Sequence, residues 1–299
     1  MMYTERIGER GGSMRIAARR RADWLMSDYV FDGRRRQIRL NDARLEVVEI
    51  GKGEPIVLVP GLAGGWKLLA PLARKLAKRN RVILYGFRDE FDPLSGRPAR
   101  EVADHARDLS GLIGELGLER PTVFGVSFGG TVALEFAVDE PHRIGRLILS
   151  GVEARFRSNL ASTIARRVLE RFPLPGDNPF VNQFFNLFHG GKPQPGPIPR
   201  FIIERCWETD QGVMARRLAM LESFDVSDRL WRLDAPTLIL AGTKDVVVPL
   251  ARQKVLADSI AGARLESIEN AGHVGFLTHS PEVAQHVDRL CRGGWPSLA

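Results

Sequence analysis

One serine, one histidine and one aspartate in this chain have types and positions that could work together on an acyl group. Ser127 lies in Gly125-Val126-Ser127-Phe128-Gly129, between a β-forming run and a run with helical spacing. A strand that turns at once into a helix forces its turn residue into a strained backbone conformation and lifts that side chain clear of the sheet. Flanking glycines carry no Cβ, so strand and helix can close on each other. Ser127 would then stand at a helix N-terminus, where free N–H groups and the dipole favour developing negative charge.

A hydroxyl needs a base to become a nucleophile. Six histidines are available. His105 and His142 fall on or just after predicted helices and read as surface residues. His189 sits in an insertion, His286 in mid-helix, and His279 at a helix start. His273 occupies the loop Asn270-Ala271-Gly272-His273-Val274-Gly275 directly after the last predicted strand. Open α/β sheets place their sites at such carboxyl ends. One strand earlier, Gly242-Thr243-Lys244-Asp245-Val246-Val247-Val248-Pro249 puts Asp245 in a turn where its carboxylate could orient the imidazole. Glu153, after the run RLILS, is the alternative acid. The order Ser, Asp, His matches one known triad arrangement.

Acyl transfer also needs two N–H donors for the oxyanion. The Gly-rich loop Val59–Trp66 follows another predicted strand and offers the Leu62 amide; Phe128 offers the second. No G-x-x-x-x-G-K-[ST] or G-x-G-x-x-G pattern supports nucleotide binding. No H-E-x-x-H or Cys/His cluster supports a metal. No cofactor or metal is therefore expected.

These residues require a parallel sheet to hold them. Short apolar runs at 55–59, 81–85, 122–126, 146–150 and 237–241 read as strands covered on both faces. The alternating run 44–50 reads as a half-buried strand, and 265–268 as the last one. Helical spacing marks 67–78, 100–116, 128–138, 249–260 and 281–291. The predicted fold class is α/β, a mostly parallel doubly wound sheet with helices on both faces. Residues 152–232 interrupt the alternation and read as a helical insertion, with helices around 160–170 and 213–223. Phe172, Phe180, Phe184, Phe185 and Phe188 would either line an apolar entrance or form that insertion's own small core.

The chain has 299 residues, 44% apolar and 26% charged, which excludes a mainly disordered or collagen-like chain and a coiled coil. Its +7 charge is uneven: residues 1–39 hold ten arginines against five acids. That stretch reads as a solvated basic arm with at most weak contact to anionic surfaces, not a specific nucleic-acid partner. Cys206 and Cys291 make no disulfide framework. With no secretory signal or spanning segment evident, a cytoplasmic location is expected. Oligomeric state is left open.

On Gly125–Gly129, Gly242–Pro249, Asn270–Gly275 and Pro60–Trp66 the chain resembles the α/β-hydrolase superfamily, in its lid-bearing branch of esterases, proline-type peptidases, C–C hydrolases and cofactor-free perhydrolases. The resemblance covers about residues 40–299. It implies Ser127 as nucleophile, Asp245 as acid, His273 as base, and the Leu62 and Phe128 amides as oxyanion hole. It further implies a core of 40–151 with 233–299, a lid of 152–232, and a small-molecule acyl substrate bound near Trp66, Phe180, Phe184, Phe185 and Phe188. The family's loop usually reads His-Gly, where this chain has Pro60-Gly61. Haloalkane dehalogenases share the layout but need an aspartate where this chain has Ser127, which argues against that reaction. The triad order leaves ester hydrolysis, C–C hydrolysis, acyl transfer and a ligand-binding sensor as the functions to separate.

Overall fold

The computed structural model describes residues 33–91, 99–156, 160–172, 182, 188–190 and 197–293. Its strands are β1 (Arg34–Arg39), β2 (Arg44–Ile50), β3 (Glu54–Val59), β4 (Asn80–Tyr85), β5 (Thr122–Val126), β6 (Arg146–Ser150), β7 (Thr237–Gly242) and β8 (Arg264–Ile268). They form a sheet in the order β1-β2-β4-β3-β5-β6-β7-β8. β2 alone runs against its neighbours; the others are parallel. The helices are α1 (Ala70–Leu76), α2 (Arg88–Phe91), α3 (Val102–Glu115), α4 (Phe128–Asp139), α5 (Leu160–Arg171), α6 (Pro197–Cys206), α7 (Gln211–Glu222), α8 (Leu250–Asp258), α9 (Gly275–Thr278) and α10 (Ser280–Cys291).

The continuous apolar runs bury both faces of the sheet, because side chains alternate across a strand. Val57, Ile83, Val123, Leu147 and Ile239 join one core with Leu109 and Leu112 of α3 and Val132 and Phe136 of α4. Ile56, Leu58, Val82, Leu84, Phe124 and Ile148 join the other with Leu72 and Leu76 of α1 and Val283 and Val287 of α10. The loops leaving the carboxyl ends of β3, β5, β6, β7 and β8 therefore converge on one rim of a sheet packed on both sides.

One element departs from the sequence expectation. The basic arm does not extend to residue 39: Arg34–Arg39 is an edge strand in register with β2, pairing Ile38 with Leu45. Arg36 of this strand pairs with Glu49 on β2, which also takes Arg81 of β4, each at 2.6 Å. Charged edges are how sheets avoid pairing with other chains. Residues 1–32 lie outside the described residues. Within the insertion, α6 forms in a proline-bearing stretch. Pro197 and Pro199 sit in its first turn, where a missing N–H costs no hydrogen bond. The helices expected around 160–170 and 213–223 are present as α5 and α7.

Among the described residues no helix is long and apolar enough to cross a membrane, and no three metal-ligating side chains gather at one point. Both cysteines are free.

A buried ion pair ties α2 to α3. Arg88 Nε donates to Asp108 Oδ2 at 2.7 Å and Nη2 to Asp108 Oδ1 at 2.5 Å. The two side chains are 8% and 3% exposed. Removing one member of such a pair leaves a charge without water or partner. Arg88→Met should therefore lower unfolding free energy by about 3–5 kcal/mol, and Arg88→Met/Asp108→Leu by much less; urea denaturation of both variants checks this.

Candidate active site

Ser127 links β5 to α4 with φ 51° and ψ −123°. That combination is sparsely populated by residues with a Cβ and costs about 1–3 kcal/mol. Three features hold it. The Ser127 N–H donates to Ser150 O at 2.8 Å, and Ser127 O accepts from Gly130 N–H at 2.8 Å. A Cβ on Gly125 would lie 2.5 Å from Gly129 O, and one on Gly129 would lie 2.1 Å from Pro60 O. Both glycines are thus required by close backbone approach, as the motif's spacing suggests.

The three side chains expected to act together are within hydrogen-bond reach. Ser127 Oγ lies 2.9 Å from His273 Nε2, and His273 Nδ1 lies 2.9 Å from Asp245 Oδ2. Asp245 and His273 are each 6% exposed. Asp245 Oδ1 accepts from the amides of Val247 and Val248, both at 2.9 Å. With one carboxylate oxygen occupied by amides, the other faces the imidazole. Nδ1–H donated to Asp245 leaves Nε2 as the acceptor for the Ser127 hydroxyl. Such a chain can draw a proton from the hydroxyl as it attacks an electrophilic carbon.

The two amides expected to receive an oxyanion belong to segments beside Ser127. Phe128 opens α4, so its amide has no intrahelical partner. A Cβ on Gly61 would lie 3.8 Å from Ser127 Cβ, which brings the loop carrying Leu62 alongside the hydroxyl.

One residue escapes the sequence reading. Gln253 of α8 is fully buried. Its Nε2 donates to Val248 O at 2.8 Å and reaches Asp245 Oδ2 at 3.4 Å, while its Oε1 accepts from Gly151 N–H at 3.0 Å. Gly151 carries φ +67°, and a Cβ there would lie 2.6 Å from His273 Cε1. Gln253 thus braces the acid's loop and the backbone wall behind the imidazole with one amide. No motif marks it; a glutamine inside a helix gives no sequence signal. Glu153, the alternative acid, instead faces Arg252 at 3.4 Å.

Of the residues expected near the substrate, Phe188 is the one among the described residues that stands beside the triad. The Phe188 ring is 5.6 Å from the His273 ring, and its carbonyl accepts from Val274 N–H at 3.2 Å. Phe180, Phe184 and Phe185 lie outside the described residues. Phe172 is 58% exposed. Trp66 requires a correction. Its Nε1 donates to Glu46 Oε2 at 3.1 Å and the Arg35 guanidinium lies 5.3 Å from its ring centroid. It faces a separate cavity of about 300 Å³ shared with Glu90 and Thr209, which contains none of Ser127, Asp245 or His273. The indole is thus held by Arg35 of β1 and Glu46 of β2.

His105 is also corrected. It is fully buried, 4.6 Å from the Phe87 ring centroid and 5.5 Å from that of Phe128. Neither ring nitrogen has a hydrogen-bond partner. Burial pushes its pKa down to about 3. It is a neutral wall behind the elbow.

The chain belongs to the α/β hydrolase family, whose model matches residues 56–286. It is 30% identical over 252 residues to the 2-hydroxy-6-oxo-6-phenylhexa-2,4-dienoate hydrolase of Comamonas testosteroni, covering 78% of this chain and 86% of that protein. It is 28% identical over 283 residues to the 2-hydroxymuconate semialdehyde hydrolase of a Pseudomonas species, covering 84% and 92%. A thermophilic esterase from Thermogutta terrifontis superposes with a TM-score of 0.74 at 27% identity, covering 88% of this chain and all of that one.

The buried neutral His105 carries a stability signature. Its folded pKa of about 3 lies below the unfolded value, so between that value and neutrality the unfolded chain binds the extra proton. Stability should fall as pH falls through that window, by up to about 1.4 kcal/mol per pH unit. Urea unfolding at several pH values should show a shallower loss for His105→Phe than for the wild type.

Proposed function

We propose that this protein is a serine hydrolase that opens a carboxylic ester of a small or medium apolar acid through an acyl-enzyme. The observation that carries the reading is the relay of two 2.9 Å contacts from Ser127 Oγ through His273 to Asp245. Ser127 Oγ attacks the ester carbonyl while His273 Nε2 takes its proton. The Leu62 and Phe128 amides receive the oxyanion, each donor being worth on the order of 10²–10³ in rate. Asp245 holds the tautomer and stabilises the imidazolium. His273 then passes its proton to the leaving alkoxide, and the C–O bond breaks. Water, deprotonated by the same nitrogen, attacks the acyl carbon. The acid leaves and Ser127 regains its proton. The insertion 152–232 forms the lid, a placement supported by the Phe188 ring beside His273.

A second reading is supported by the two curated relatives, both named as hydrolases of oxo- or semialdehyde dienoic acids. On it the same residues break a C–C bond next to a ketone. Parallel assays with p-nitrophenyl esters of increasing chain length and with a 2-hydroxy-6-oxo-dienoate separate the two: the preferred class is the one with the higher kcat/KM. A ligand-binding sensor would turn over neither substrate and would leave Ser127 unlabelled by a fluorophosphonate.

Ser127→Ala should reduce hydrolysis of p-nitrophenyl butyrate by roughly 10⁴–10⁶-fold with no loss of thermal stability, since it retains the backbone and removes only the hydroxyl. Gln253→Leu should lower kcat by about 10–100-fold through misplacement of the imidazole, with KM little changed; steady-state kinetics checks both.

A further inference from the structure

The oxyanion loop is held from outside the hydrolase core. Arg217, on α7 of the insertion, is fully buried. Its Nη1 donates to Leu62 O at 2.8 Å and to Glu90 Oε1 at 2.8 Å, and its Nη2 donates to Asp89 Oδ1 at 2.5 Å. Its guanidinium carbon lies 4.7 Å from the Phe87 ring centroid and 5.7 Å from that of Phe128. One side chain therefore touches both residues whose amides flank Ser127: Leu62 through its carbonyl and Phe128 through its ring. A few residues before α7, Thr209 Oγ1 accepts from Gly64 N–H at 3.0 Å, a second polar grip by the insertion on the same loop. Glu90 also stands against this loop, since a Cβ on Gly65 would lie 3.0 Å from its Oε2.

Stability is a poor reason for this cluster. Burying a guanidinium with two carboxylates often contributes no more than an apolar replacement of equal volume. What such a cluster supplies is a fixed geometry, because a planar fork bonds its acceptors only in set directions. Here the acceptors are the oxyanion loop on one side and α2 on the other. Charge is arranged to match. Burial raises the Glu90 pKa despite the opposing Arg217 charge, while at Asp89 the Arg217 charge and hydrogen bond outweigh burial and hold the pKa below its ordinary value.

We propose that Arg217 is a positioning residue for the oxyanion hole, through which the insertion sets the aim of the Leu62 and Phe128 amides. This rests on the serine-hydrolase reading above. A donor misplaced by a fraction of an ångström loses its grip on a tetrahedral oxyanion while still admitting a planar ester. The prediction is accordingly a split between transition-state and ground-state binding.

The test uses the full chain. Arg217→Lys keeps the buried charge but has no fork; Thr209→Val removes the second grip without altering charge. Phenylboronic acid, which forms a tetrahedral adduct on the serine, reports the hole. For Arg217→Lys we expect a 10–100-fold weaker boronate Ki and a similarly lower kcat on p-nitrophenyl butyrate, with KM within threefold and an unchanged pH profile. Thr209→Val should move the same quantities in the same direction by a smaller factor. Should Arg217→Lys fail to fold, Thr209→Val decides: wild-type boronate affinity in that variant overturns the proposal. It is equally overturned if a folded Arg217→Lys binds boronate like the wild type, or if KM and Ki rise together. If the wild-type protein neither binds boronate nor reacts with a fluorophosphonate at Ser127, the hydrolase reading fails and this inference falls with it.

Discussion

Everything at this site depends on one backbone conformation that its own residue disfavours. A positive φ at Ser127 persists because the surroundings leave no alternative. The β5 strand and the α4 helix meet with carbonyl and Cα atoms in contact, and the Ser127 amide and carbonyl are both committed to hydrogen bonds. Relaxing the serine would break those bonds and separate a strand from a helix that together bury much of the core. The strain is borne by the packing of the whole sheet, and the hydroxyl is presented at its rim as a consequence.

The polar groups around that hydroxyl form two braces with different chemistry. Behind the imidazole the brace is neutral: Gln253 joins the Asp245 loop to Gly151 through one amide. A neutral brace leaves the charge of Asp245 undivided for the imidazolium that forms during reaction. Behind the oxyanion loop the brace is ionic, with Arg217 between Asp89 and Glu90. Its two carboxylate partners offset its charge, so what it contributes is the direction of its hydrogen bond to Leu62 O. The side chain is fully buried, with the Phe87 and Phe128 rings against its guanidinium, so its directionality is retained.

Much of this was legible in the order of residues. The strands covered on both faces announce themselves because continuous burial demands continuous apolar sequence. The elbow announces itself because close backbone contact demands glycine at set intervals. Other features were not legible, for identifiable reasons. β1 reads as a tail because four of its six residues are arginines, and Glu49, which pairs with Arg36, lies on β2. His105 was judged by its polarity. Yet Val102, Ala106, Leu109 and Leu112 form a buried stripe on α3, and position 105 falls on it. Trp66 follows the Gly-rich loop closely enough to suggest the site, but the direction of its side chain is set by Glu46 on β2.

By itself the sequence determined the sheet, the strained turn and the identity of the three polar side chains, because each depends on local periodicity or on the absence of a side chain at a fixed offset. Only the tertiary structure decided which groups hold them. Gln253 stands 102 residues from Gly151, and Arg217 stands 155 residues from Leu62. A hydrogen bond across such distances depends on the position and direction of two side chains after the core has packed, and neither quantity is written in a spacing.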